Sequence, residues 1–368
     1  MRLKFFFLVV IFSLGVSANF YAQDQKNDDE VLRIDTQLVD VPVVVTDKNG
    51  KPLLDLKQSN FIIYEDGKKQ DISDFAATNA PFEVALLLDT SGSTRSDLQL
   101  IQRAAENFIA SLRPGDKVSI IAFRSDRISG KTNAASEVLS SLTNDRNKLK
   151  SALADVKMSF GTPYYDGLLQ VVEKIFREKP KDEFRGRRAL VALTDGVDST
   201  SVADFAEVRE EFGQAGIVSY FIQVDTREFF EENLLGDCES AMRFSQAQIR
   251  RYYRTFYPKS NVEKVYSFCN LGDFERLDIS KKLYELADAQ MQGLAKMSGG
   301  KVFPAADLSE ARVAFARVAQ EIGTKYSVGY YSSNEKRDGG YRKIKIELKG
   351  VPAGAQIRAR EGYTAPTN

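Results

Sequence analysis

The stretch ALLLDTSGSTRSD, residues 85–97, ends an apolar run in a carboxylate and follows it with a comb of hydroxyls. Asp89, Ser91 and Ser93 alternate, so their side chains can converge from one loop on one point. A carboxylate and two hydroxyls are hard oxygen donors, the type that magnesium, manganese and calcium prefer. Two more oxygen-bearing residues stand in comparable places. Thr162 occupies a glycine–proline turn, SFGTPYYDGL, just before a helical pattern, and Asp195 closes a second apolar run in ALVALTDGVDS. In an open parallel sheet, ligands bind beyond the carboxyl ends of the strands, where helices begin. The plainer alternative for Ser91 and Ser93 is helix capping. Asp97 reads as a first-turn acid favoured by the helix dipole, and Asp198 is open between a ligand and a structural acid.

Composition narrows the chemistry. The 368 residues contain no histidine, and 51 basic residues balance 51 acidic ones. The commonest general base and the commonest transition-metal ligand are therefore missing, which excludes serine–histidine and cysteine–histidine nucleophiles and a histidine-bound zinc. A neutral balance gives no bulk electrostatic hold on nucleic acid or on an anionic membrane. No G-x-x-x-x-G-K-[ST] phosphate loop occurs. A metal-dependent hydrolase would need a second carboxylate cluster as its base, and none accompanies these loops.

The elements that must position the five residues follow from periodicity. Short, continuously apolar runs at VALLLDTS, VSIIAF, RRALVALTDG and VSYFIQVD read as strands buried on both faces. Between them, residues 97–112, 146–157, 165–178, 286–299 and 308–323 carry helical stripes, the first through Ile101, Ala104, Ala105, Phe108, Ile109 and Leu112. Alternating strands and helices predict an α/β fold, a doubly wound, mostly parallel sheet flanked by helices, over residues 81–323. Residues 226–285 break the alternation and read as an insertion holding Cys238, Cys269 and the segment IRRYYRTFYPKS. That segment suits either a partner surface or a packed decoration. Two β-rich segments flank the unit, an N-terminal module over 24–80 and a C-terminal one over 324–368. Val39, Val41, Val43 and Val45 share one face, Pro42 suits an edge strand, and Asp66–Gly67 marks a hairpin. The 324–368 segment is expected to pack with 31–78 as one β-sandwich-like module.

Residues 1–23 read as a signal peptide, with Arg2 and Lys4 ahead of an apolar run and a cut between 18 and 23. The run is too short to span a membrane comfortably. Export makes a Cys238–Cys269 disulfide the expected state, and it predicts a secreted or periplasmic protein with no stable membrane insertion after cleavage.

With its D-x-S-x-S loop, distant threonine and distant aspartate, the chain resembles the von Willebrand factor A family across residues 81–323. All five positions of that family's metal-ion-dependent adhesion site are present: Asp89, Ser91, Ser93, Thr162 and Asp195. The flanks, in FIIYEDGKKQDI, RKIKIELKG and IRAREGY, resemble secreted bacterial relatives. The resemblance implies a Rossmann-like fold and a bound Mg2+, or Mn2+ or Ca2+. Ser91 and Ser93 would ligate the ion directly, Thr162 directly or through water, and Asp89 and Asp195 mostly through water. It implies a binding and adhesion module rather than an enzyme, presenting the cation to an aspartate or glutamate of a protein partner. The alternatives are an envelope scaffold with a purely structural metal and, behind it, a metal-dependent hydrolase. The oligomeric state is open.

Overall fold

The computed structural model describes residues 38–92, 98–128, 131–259 and 267–367. The signal-peptide segment, Ser93 and Asp97 lie outside the described residues.

Six strands build the central sheet of the α/β unit: β5 (Glu83–Leu88), β6 (Lys117–Ile128), β7 (Lys131–Thr143), β8 (Arg188–Thr194), β9 (Val218–Val224) and β10 (Lys301–Ala305). Their order is β10-β9-β8-β5-β6-β7. All pairings are parallel except β6 with β7. Every residue of β5 is buried. Val84, Leu86 and Leu88 enter one helical layer, while Ala85 and Leu87 enter the other. This is the period-2 alternation of a strand covered on both faces. The first layer holds α1 (Leu98–Ser111), α2 (Arg146–Ala154) and α8 (Leu308–Ile322), and the second α3 (Tyr164–Gln170), α4 (Phe205–Ala215) and α7 (Asp273–Ser298). The α1 stripe Ile101, Ala104, Ala105, Phe108 and Ile109 is buried, as its spacing requires.

Three elements differ from the sequence reading. KTNAASEVLSSLT forms β7, an antiparallel edge strand that was not expected. Its described side chains are exposed or half-buried, so no apolar alternation marks it. The stripe assigned to a helix over 165–178 is α-helical only to Gln170, and Val171–Ile175 continues as one π-helical turn. Finally, α7 begins at Asp273, well before the expected 286. Its buried stripe Ile279, Leu283, Ala287, Met291 and Leu294 passes through position 285 without a break, so the composition change there is no structural boundary.

The flanking segments contribute β1 (Leu38–Thr46), β2 (Phe61–Glu65), β3 (Lys68–Gln70), β4 (Ile72–Ala76), β11 (Tyr326–Tyr331), β12 (Tyr341–Leu348), β13 (Gln356–Ala359) and β14 (Gly362–Thr364). They form two antiparallel sheets, one of order β13-β1-β11-β4 and the other β14-β12-β2-β3. Strands from both ends of the chain interleave, β1 with β11 and β2 with β12. Val39, Val41, Val43 and Val45 face Ile63, Val328 and Ile344 in one core. Asp66 (φ 46°) and Gly67 (φ 82°) make the tight turn between β2 and β3. Pro42 does not lie on an edge strand: β1 is interior. The proline is tolerated because β13 pairs only from Val43 onward.

The insertion contains α5 (Arg227–Glu232) and α6 (Gln246–Phe256) around its own core of Phe230, Leu234, Phe244, Ile249, Tyr252 and Phe268. Tyr252 donates to Asp278 and Tyr253 to Glu275, so these tyrosines of the IRRYYRTFYPKS segment fasten α6 to α7. Cys238 and Cys269 form the expected disulfide, with Cα atoms 5.2 Å apart and a sequence separation of 31. A loop of that length stabilises by about 3–4 kcal/mol in the chain-entropy model. The C238S/C269S double variant is expected to lose that amount in a denaturant titration. An unchanged midpoint would mean that packing alone holds the insertion.

Candidate metal centre

Asp89 is the first residue beyond β5 and Asp195 the first beyond β8, and these strands are neighbours. The chain runs outward from β5 through β6 to β7 on one side, then returns to β8 and runs outward through β9 to β10 on the other. The gap between β5 and β8 is thus the point where strand order reverses, the crevice in which open α/β sheets bind ligands. Both carboxylates are buried, at 0% and 2% exposure. Asp89 Oδ1 accepts from Ser91 N at 3.0 Å and Oδ2 from Thr194 Oγ1 at 2.7 Å. Asp195 Oδ1 accepts from Val197 N at 2.9 Å and Oδ2 from Thr226 Oγ1 at 2.7 Å.

These donors to Asp89 are neutral. Burial raises its carboxyl from 3.8 to about 7, and the charge of Asp195 pushes in the same direction. Two carboxylates this close in a dry site resist joint ionisation unless a cation joins them. Among the described residues no three His, Cys, Asp or Glu gather as a metal cluster. A cation here would rest on two acids and surrounding hydroxyls, a donor set that fits a hard divalent ion.

The hydroxyl loops are stitched to these acids. Ser91 is buried and forms a parallel bridge with Ser159, whose N–H donates to Thr90 O at 2.9 Å. Thr90 Oγ1 donates onward to Phe123 O at 3.0 Å. Two residues past Ser159, a Cβ on Gly161 would sit 2.8 Å from Thr200 Cγ2 and 2.9 Å from Ala134 Cβ. Glycine is what allows the 158–162 loop to press against the 195–202 loop.

Thr162, also buried, is held reciprocally by that second loop. Its N–H donates to Ser199 Oγ at 2.8 Å, and Ser199 N donates to Thr162 O at 3.0 Å. Asp198 Oδ2 accepts from Tyr164 N at 3.0 Å and Tyr165 N at 3.3 Å, which caps α3 from outside the helix. Its other oxygen pairs with Arg251 Nη2 at 2.7 Å. Asp198 is therefore a capping, ion-paired acid. In return Asp166 of α3 accepts from Val202 N and Ala203 N. The structure thus brings Asp89, Ser91, Thr162 and Asp195 to one edge of the sheet on interlocked loops. The fifth position, Ser93, lies outside the described residues.

Thr226, Tyr284 and Arg251 were missed by the sequence reading. Tyr284 OH lies 2.8 Å from Thr226 Oγ1, behind Asp195. No local spacing announces a contact between residues so far apart in the chain. The arginine- and tyrosine-rich composition of α6 is the only signal present.

The family model described as von Willebrand factor type A domain matches residues 84–197, from β5 to just past Asp195. Over these residues the chain is similar to that family, and its α/β unit has the corresponding fold. Such domains are protein-interaction and adhesion modules, generally without enzymatic activity. Among solved structures, the chain is similar to a von Willebrand factor type A protein from Catenulispora acidiphila, at 12% identity and a TM-score of 0.42, over 90% of this chain and 75% of that one. It is also similar to proximal thread matrix protein 1 from the mussel byssus, at 11% identity and a TM-score of 0.41, over 77% of this chain. The match spans 50% of the byssus protein. The SpRpn10 VWA domain is similar at 16% identity and a TM-score of 0.31, over 43% of this chain and 84% of that one. No curated protein sequence matches the chain. Among the described residues no helix is long and apolar enough to cross a membrane.

Proposed function

We propose that the chain is an exported binding module that presents a divalent cation, Mg2+ or else Mn2+ or Ca2+, to a carboxylate of a protein partner. One observation carries this reading. Two carboxylates, Asp89 and Asp195, are buried together at the switch point of the sheet, and the donors that Asp89 accepts from are neutral. Ser91, Ser93 and Thr162 would supply hydroxyl ligands, and the two aspartates would orient water around the ion. With hydroxyls rather than carboxylates as the inner ligands, the ion keeps Lewis acidity for an acidic group from outside.

The rim suits a protein better than a small solute. Phe160 is 85% exposed and Val202 97% exposed, on the two loops that hold Thr162. Backbone hydrogen bonds to Ser125 Oγ and to Asp166 fix both residues. Rigidly displayed apolar side chains beside a charged centre are characteristic of interaction surfaces. The Cys238–Cys269 disulfide is compatible with an oxidising compartment outside the cytoplasm.

A crosslinking pull-down from envelope extracts tests the reading. Capture of a partner is expected in magnesium and not in chelator, and not with Asp89→Asn in either condition. Equal capture under all conditions would favour a scaffold whose metal is structural.

A further inference from the structure

The insertion reaches the metal centre at three points, and all three fall on the loop 195–199. Thr226, 5% exposed, donates to Asp195 Oδ2 at 2.7 Å and is backed by Tyr284 OH of α7. Arg251 of α6 donates twice to Asp198, from Nη2 to Oδ1 at 2.7 Å and from Nη1 to the backbone carbonyl at 2.8 Å. Its guanidinium also lies 4.7 Å from the centre of the Tyr165 ring. Ser245, the N-cap of α6, donates to Ser199 O at 2.6 Å. Ser199 is the residue whose hydroxyl receives the Thr162 N–H.

We propose that the insertion is a clamp that sets the cation affinity of this centre, with Thr226 and Arg251 as positioning residues acting through Asp195 and Asp198. This rests on the functional reading above. An aspartate that orients water around an ion must keep one rotamer, and Thr226 fixes the Asp195 carboxylate from behind. Arg251 grips both the side chain and the backbone of Asp198. That grip holds the loop against α3 and so holds Thr162 in register with Asp195. Neither residue needs to touch the ion.

Electrostatics alone predicts the opposite sign for Arg251. Removing a cation close to a cation site reduces repulsion and should tighten binding. A clamp predicts that removing it weakens binding, because the loop loses its order. Arg251→Lys sharpens the contrast. It keeps the charge but cannot reproduce the two-point grip of the guanidinium.

The test is calorimetric titration of Mn2+ into the full exported chain and its variants, with amide hydrogen exchange of residues 196–200 on the metal-free protein as a second readout. Thr226→Val and Arg251→Gln are each expected to raise the Mn2+ Kd by about tenfold or more, the usual effect of losing a hydrogen bond to a charged group. Both should speed exchange in the 196–200 loop. Arg251→Lys should weaken binding as well, and Thr226→Ser should restore wild-type affinity and exchange. Unchanged affinity in both primary variants, or tighter binding in Arg251→Gln, would overturn the clamp. A wild-type chain that takes up no Mn2+ would instead overturn the functional reading, and the affinity claim would fall with it.

Discussion

Asp89→Asn is expected to abolish the magnesium-dependent rise in melting temperature and, at pH 7.5, to raise the melting temperature of the metal-free protein. Both effects come from one buried charge. An asparagine keeps an acceptor for Ser91 N and can donate to Thr194 Oγ1, so the local hydrogen bonds survive. What disappears is a carboxylate that burial and Asp195 have pushed from 3.8 up to about 7. Between those values the native state holds a proton that the unfolded chain has released. The contribution of this carboxyl to the stability of the metal-free protein is therefore fully present below about pH 4 and is lost as pH rises through 7. A cation needs the ionised form, so its affinity climbs over the same window. At a hundredfold excess over Kd, a single-site ligand stabilises by about 2.7 kcal/mol, or roughly 4 °C for a chain of this size. The variant should lose that increment entirely, together with the share of the acid-to-neutral slope that this carboxyl supplies. A variant that melts lower without metal and still responds to magnesium would make Asp89 a structural acid.

Arg187→Met is expected to cost about 3–5 kcal/mol of folding stability, or roughly 4–7 °C, with little effect on cation affinity. Arg187 is completely buried. Its Nε donates to Pro81 O at 3.1 Å, its Nη1 to Ala77 O at 3.2 Å and Lys325 O at 3.1 Å, and its Nη2 to Ala80 O at 2.7 Å and Thr78 O at 3.4 Å. The guanidinium also stacks 4.3 Å from the centre of the Phe82 ring. Burial lowers its pKa to about 10, so it stays charged at neutral pH. These carbonyls lie on the 77–81 connection into the α/β unit and on the residue that opens the return into the flanking sheets. One side chain thus fastens the junction. Arg113 also donates to Thr78 O and Ala80 O, and Ala80 N to Ala77 O, so the substitution would strand mainly the carbonyls of Pro81 and Lys325. Each buried orphan costs about 1 kcal/mol or more. Urea titration gives the number, and a loss under about 1 kcal/mol would show that water fills the gap.

What was legible in the chain was whatever a short window encodes. Strands such as Glu83–Leu88 are buried on both faces, so an apolar run that stops at an acid gives away both the strand and the functional end of it. The Val39–Val45 alternation and the Asp66–Gly67 turn were visible for the same reason. The missed features depend on partners elsewhere. The polar sequence of β7 is a strand because β6 offers it an edge. Pro42 sits inside a sheet because β13 stops one residue short of it. The role of Asp198 became definable only once Tyr164, Tyr165 and Arg251 were seen around it. Thr226 and Arg251 belong to an insertion whose composition suited a partner surface and a packed decoration alike, and these two side chains bond to the loop that carries Asp195 and Asp198.

The central claim is that Asp89, Ser91, Ser93, Thr162 and Asp195 surround one divalent ion. Anomalous diffraction from crystals grown with Mn2+ tests it most directly. A single strong peak among these side chains, absent in Asp89→Asn crystals, is the predicted result. No peak there at saturating Mn2+, or a peak only elsewhere on the chain, would contradict it.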